Sequence, residues 1–211
     1  MSLAPLVTLN AVAKSVYEQT ILRNVSYSFA TQTITWIRGT EGQGKTLLTN
    51  ILCNLEAPDS GSVDWQPSSG RDMGVVFDTP ALISNLSIAQ NLALALDHYQ
   101  VSLNGKNKIE YIQELLHTWK LPRTENLRPV VLSRAQSCRV ALIRALIAKP
   151  KVLIWDDAFE CFTEDDLRFA HSKLQEVHAQ GMTLILLSRR PSLDWDFPFK
   201  QIQLKEGRLE I

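Results

Sequence analysis

Three short runs of this chain are apolar at consecutive positions rather than alternate ones. They are Ile34-Thr35-Trp36-Ile37, Lys151-Val152-Leu153-Ile154-Trp155 and Thr183-Leu184-Ile185-Leu186-Leu187. Each ends at polar residues or glycine, the pattern of parallel strands buried on both faces. The stretch up to Phe29 alternates instead, which suits an antiparallel sheet. A helical pattern from Lys45 to Leu55 follows the first run. Leu167, Ala170, Leu174 and Val177 fall at helical spacing between the other two. Thr163 with Asp166 three residues on makes a capping box for that helix, and Gly181 stops it. Strand, helix and strand in this order predict a right-handed βαβ unit.

The middle of the chain reads differently. Ile88 to His98, Ile109 to Trp119 and Ala135 to Ile147 have helical periodicity, separated by Asn104-Gly105 and by the loop from Pro122 to Pro129. Lys205-Glu206-Gly207-Arg208 reads as the turn of a final hairpin. The expected fold class is α/β: a P-loop core on a parallel sheet, an N-terminal antiparallel β subdomain and a helical insert. We expect one domain over residues 1–211, with the core at about 1–80 and 150–211 and the helical subdomain at about 81–149. No internal repeat or low-complexity tract interrupts it.

Composition narrows the partners. Lys plus Arg and Asp plus Glu both number 22, so the formal net charge is zero. A general nucleic-acid or anionic-membrane binder usually carries a basic excess, so no nucleic-acid partner is expected. Cys53, Cys138 and Cys161 lie far apart in sequence without zinc-ligand spacing, and read as free thiols in a reducing compartment. The four histidines, His98, His117, His171 and His178, form no ligand cluster in the sequence. No apolar run approaches the ~20 residues that span a bilayer, and Met1 to Asn10 lacks the pattern of a signal peptide. The expected location is therefore cytoplasmic, with any membrane role exercised through a partner.

Gly39-Thr40-Glu41-Gly42-Gln43-Gly44-Lys45-Thr46 matches the phosphate-loop pattern G-x-x-x-x-G-K-[ST] in full. Glycines let backbone N–H groups approach phosphate oxygens, and the start of the following helix adds positive potential. Lys45 should reach the β- and γ-phosphates, and the Thr46 hydroxyl should ligate Mg²⁺. Glu41 puts a carboxylate beside a polyanion site, so its side chain should point away. The apolar strand ending in Asp156-Asp157 supplies the expected acidic partner for Mg²⁺.

With these two motifs in place, the chain resembles the ABC (ATP-binding cassette) ATPases over nearly its whole length. Leu132-Ser133-Arg134-Ala135-Gln136 and the helix after it are similar to the family's signature motif, which usually opens L-S-G-G-Q. Val75-Val76-Phe77-Asp78-Thr79-Pro80 resembles the Q-loop strand, Tyr17 matches the aromatic that stacks on adenine, and Leu55 to Val63 resembles the stretch after the P-loop helix. The resemblance implies a head-to-tail dimer with a second ATP-binding subunit, ATP lying between one chain's P-loop and the other's Ser133, Arg134 and Gln136. It also implies docking onto a separate integral-membrane subunit, at the inner face of the membrane.

Five departures from the family pattern fall on hydrolytic parts. The usual base, a glutamate, is Asp157, one methylene shorter by roughly 1.5 Å, and a misplacement of about 1 Å can cost on the order of a hundredfold in rate. The switch histidine aligns with Arg189, which keeps its charge but could contact a γ-phosphate. The Q-loop glutamine aligns with Asp78, adding negative charge near Mg²⁺. Arg134 and Ala135 replace both signature glycines. Ala158 to Thr163 lacks the family's proline and aspartate. The expected function is an ATP-binding subunit of a membrane transport or envelope complex with weak ATPase activity. The alternative is a non-hydrolysing structural or regulatory module, and a soluble nucleic-acid-acting relative is the third reading.

Overall fold

The computed structural model describes residues 4–66, 72–192 and 195–210. Strands β1 (Pro5–Val16) and β2 (Gln19–Ala30) form a long antiparallel hairpin, with β4 (Ser60–Trp65) on the other side of β1. The hairpin closes through Tyr17 and Glu18, whose φ values of 46° and 64° give the two left-handed positions that a tight hairpin turn requires.

A second sheet has the order β5-β6-β7-β3-β8-β9. It comprises β5 (Met73–Val76), β6 (Val152–Trp155), β7 (Thr183–Ser188), β3 (Ile34–Arg38), β8 (Lys200–Lys205) and β9 (Arg208–Glu210). All pairings are parallel except that of β9, which closes the C-terminal hairpin through the predicted Glu206-Gly207 turn.

The consecutive apolar runs find their explanation in packing. On one face Ile37, Ile154, Ile185 and Leu187 pack against α1 (Lys45–Leu52) and the N-terminal sheet, meeting Leu48, Leu9 and Phe29. On the other, Trp36, Leu153, Trp155 and Leu186 pack against helices. Full burial of each such side chain contributes ~1.5–3 kcal/mol. These helices are α2 (Ile88–Tyr99), α3 (Lys108–Thr118), α4 (Arg134–Leu146) and α5 (Glu164–Ala179). The first three lie between β5 and β6 in sequence, where the helical insert was expected.

Local signals act as predicted. Thr163 caps α5, its hydroxyl accepting from the Asp166 N–H while the Asp166 carboxylate accepts from the Thr163 N–H. Helix α1 ends at Leu52, earlier than the Leu55 its periodicity suggested, because Asn54 turns into the left-handed region at φ 56°. The stretch from Leu55 to Val63, read only as following the P-loop helix, runs into β4, held to β1 by Val7↔Trp65 and Leu9↔Val63 pairs.

The register carries the functional consequence. Arg38 pairs with Ser188, and Val76 with Trp155. The carboxyl ends of β3, β5, β6 and β7 therefore lie side by side. Gly39, Asp78, Asp156 and Arg189 all follow those ends, at the edge of an open α/β sheet where ligands bind.

Candidate phosphate-binding site

The loop from Gly39 to Gly44 leaves β3 and enters α1 directly. The Gly39 N–H donates to the Ser188 carbonyl at 3.1 Å, anchoring the loop to β7. Gly44 sits at φ 93°, and a Cβ there would lie 2.8 Å from Ile21 Cγ2, so both backbone and space demand glycine. No side chain caps the start of α1 and its first turn has no acidic residue. Its N–H groups are thus directed at whatever the loop encloses, a ready anion site.

Lys45 lies over this loop. Its side chain is 6% exposed, and its Nζ donates to the Thr40 carbonyl at 3.1 Å and lies 3.5 Å from Asp157 Oδ1. Such a buried ammonium is poised for a multiply charged anion that can replace weak partners. Gln43 faces away, its Oε1 accepting from the Glu206 N–H at 2.7 Å. Glu41, expected to point away from the phosphates, is 90% exposed, yet its carboxylate turns toward Arg189 at 3.6 Å.

Asp156 is fully buried. One carboxylate oxygen accepts from the Asp157 N–H at 3.1 Å, while Oδ2 has no hydrogen-bond partner. Burial pushes its carboxyl above the usual aspartate value, against the opposing pull of the nearby Thr46 hydroxyl. A buried carboxylate oxygen without a partner, beside a hydroxyl and under a phosphate loop, fits a hard divalent cation. Thr46 and Asp156 are the residues able to hold it.

Asp157 lies at φ 48° and Phe159 at φ 71°, so the turn after β6 carries two non-glycine residues in the left-handed region. Aromatic packing against Trp155, Phe162, His171 and Trp195 holds Phe159 there. Arg189 faces this turn, with Nε 3.6 Å from Asp157 Oδ2 and 3.8 Å from Glu160 Oε2 and with Nη1 3.6 Å from Glu41 Oε2. Asp157 is thus bracketed by Lys45 on one side and Arg189 on the other. Glu160, which the sequence reading passed over, holds the Arg189 backbone N–H at 2.8 Å.

The signature residues divide their work. Ser133 and Gln136 cap α4 by bonding each other's backbone, so both side chains are occupied within the helix start. Their S-x-x-Q spacing is itself a capping-box signal. Arg134 Nη2 donates to Asp78 Oδ1 at 2.6 Å across 56 positions of sequence. Asp78, expected near Mg²⁺, thus faces an arginine of its own chain. A cleft of about 430 Å³ is lined by Lys45, Thr46, Asp78, Arg134, Asp157 and Arg189. Tyr17 is 99% exposed at the hairpin tip.

Known proteins are similar to this chain in sequence and in fold. Over 97% of its length the chain is 28% identical to the sulfate/thiosulfate import ATP-binding protein CysA of Caulobacter vibrioides, covering 63% of that protein. It is 30% identical over 88% of its length to the methionine import ATP-binding protein MetN of Brucella abortus, covering 53% of it. The chain therefore spans little more than half to under two-thirds of these two relatives. A solved dimer of the ATP-binding cassette MJ0796 bound to ADP and Pi superposes with a TM-score of 0.85 at 25% identity, over 97% of both chains. The family model described as ABC transporter matches residues 22–160, and the chain belongs to that family.

Proposed function

We propose that this chain is the ATP-binding subunit of an ABC-type membrane transport or envelope complex. ATP binding would close a dimer with a second ATP-binding subunit and drive motion in a separate integral-membrane subunit. Among the described residues no helix is long and apolar enough to cross a membrane. The relatives named as import ATP-binding proteins support transport, with this chain peripheral on the inner face of the membrane.

One observation carries the reading. An uncapped helix start, the buried Lys45 ammonium and the partnerless Asp156 carboxylate oxygen converge under one glycine loop. A nucleoside polyphosphate with Mg²⁺ would satisfy all three at once: the N–H groups and Lys45 would hold phosphate oxygens, and Thr46 and Asp156 would hold the cation. Mg²⁺, when bound, neutralises charge on the phosphates and orients them. Tyr17 would stack on adenine, and Ser133, Arg134 and Gln136 would face the partner's ATP.

Asp157 is the proposed base that orients and deprotonates water, with Arg189 set to contact the γ-phosphate. Lys45 and Arg189 compete with water for the carboxylate's lone pairs. ATP would draw both cations toward phosphate and free it. Its short side chain and this bracket point to slow turnover. The same bracket favours the second reading, a module that binds ATP without hydrolysing it. Phosphate release by the purified dimer with its membrane partner separates the two. Release that Asp157→Asn abolishes supports the first reading; no release with ATP bound supports the second. Equal release from both proteins removes Asp157 from the base role.

A further inference from the structure

The fold brings together two cysteines that the sequence holds apart. Cys138 Sγ and Cys161 Sγ are 2.9 Å from each other across 23 positions of sequence. Cys138 stands on α4, beyond the Ser133–Gln136 cap, and is 4% exposed. Cys161 lies in the turn after β6, next to Glu160, and is half-buried. Both are free thiols, as is Cys53, which is in neither element.

We propose that Cys138 and Cys161 form a reversible dithiol–disulfide site, oxidised by a low-molecular-weight disulfide of the glutathione type. The bond would tie the start of α4, with Arg134, to the turn that carries Asp157 and Glu160. It would fix the Arg189-binding face of that turn relative to the signature helix. This inference does not rest on the nucleotide reading, because its chemistry involves sulfur alone.

The order of events follows from exposure and charge. The hydrogen bond with Cys138 lowers the Cys161 thiol below the ordinary cysteine value, and Arg134's positive charge acts in the same direction. Contact with Cys161 and burial push the Cys138 thiol up. Cys161 is therefore the attacking thiolate, since the thiolate is the reactive form. It attacks one sulfur of the small disulfide, forming a mixed disulfide and releasing the first small thiolate. Cys138 then gives up its proton and attacks the Cys161 sulfur, releasing the second. The protein loses two electrons and two protons. The small disulfide gains both and leaves as two thiols. Cys53, whose thiol burial pushes up to about 12, stays outside the exchange.

The test uses the full chain with oxidised glutathione, quenched with N-ethylmaleimide and mapped by mass spectrometry without reduction. Apart from any maleimide added to Cys53, the expected product is lighter than the starting protein by two hydrogen atoms. It contains a Cys138–Cys161 linked peptide, and dithiothreitol reverses it. Cys138→Ser should accumulate a stable glutathione adduct on Cys161, whereas Cys161→Ser should leave Cys138 unmodified. Cys138→Ala, which buries no hydroxyl, repeats the first variant if the serine form does not fold. A wild-type chain that retains glutathione on Cys161, links through Cys53, or stays fully reduced overturns the proposal.

Discussion

Gly44→Ala tests whether the phosphate loop is shaped by contact as well as by conformation. The new methyl group would stand 2.8 Å from Ile21 Cγ2 and 3.1 Å from Leu22 Cδ2, on a residue at φ 93°. Left-handed backbone with a Cβ costs roughly 1–2 kcal/mol. Overpacking against a buried neighbour such as Leu22 adds about 1–3 kcal/mol. Gly42→Ala is the internal control, because its φ is 78° but nothing lies within 4 Å of the added Cβ. The pair shares the conformational cost and differs in the clash, so Gly44→Ala should be the less stable by about 1–3 kcal/mol. For a chain of this size that is a further loss of roughly 2–12 °C in Tm. Thermal denaturation without nucleotide measures it. Gly44→Ala/Ile21→Ala should recover part of the difference. Equal destabilisation by Gly44→Ala and Gly42→Ala would refute the packing account of the loop.

Two further outcomes follow from the site and its supports. Asp156 has its carboxyl raised by burial, so its protonated form is the one the fold favours. That stabilisation is full below the unfolded aspartate value and is lost as pH rises through the raised folded value. Asp156→Asn should therefore raise the Tm of the nucleotide-free protein at neutral pH, flatten its dependence in the acidic range and weaken Mg²⁺-dependent ATP binding; a lower Tm at neutral pH would contradict the burial argument. Thr163→Ala removes the α5 cap, which should cost ~1 kcal/mol in urea denaturation, and no change would mean the Asp166 interactions suffice alone.

What could be read from the sequence was what sits in local patterns. The phosphate loop, the doubly buried strands, the Thr163 cap and the Glu206-Gly207 turn each lie within a few residues and were legible for that reason. The α1 endpoint was missed because Asn54 outweighs the periodicity continuing to Leu55. Contacts between distant segments carried no such signal. Nothing in the order of residues announces that Arg134 meets Asp78, that Cys138 meets Cys161, or that Glu160 anchors Arg189. The left-handed backbone at Asp157 and Phe159 was equally hidden, since neither is a glycine and the aromatic cluster that packs around Phe159 is assembled from distant segments. Ser133 and Gln136 are the opposite case: their capping spacing was visible, but the signature resemblance drew attention to ligands instead.

The central claim is that Gly39 to Thr46 and Asp156 together grip a magnesium-bound nucleoside triphosphate. Isothermal titration of the chain with ATP, with and without Mg²⁺, measures this directly. The account predicts saturable binding that Mg²⁺ strengthens, lost in Lys45→Ala and stripped of its Mg²⁺ dependence in Asp156→Asn. At ~100 times its Kd, bound ATP should also stabilise the fold by about 2.7 kcal/mol. Absence of binding to the folded wild-type protein, or the same isotherm from Lys45→Ala, would contradict it.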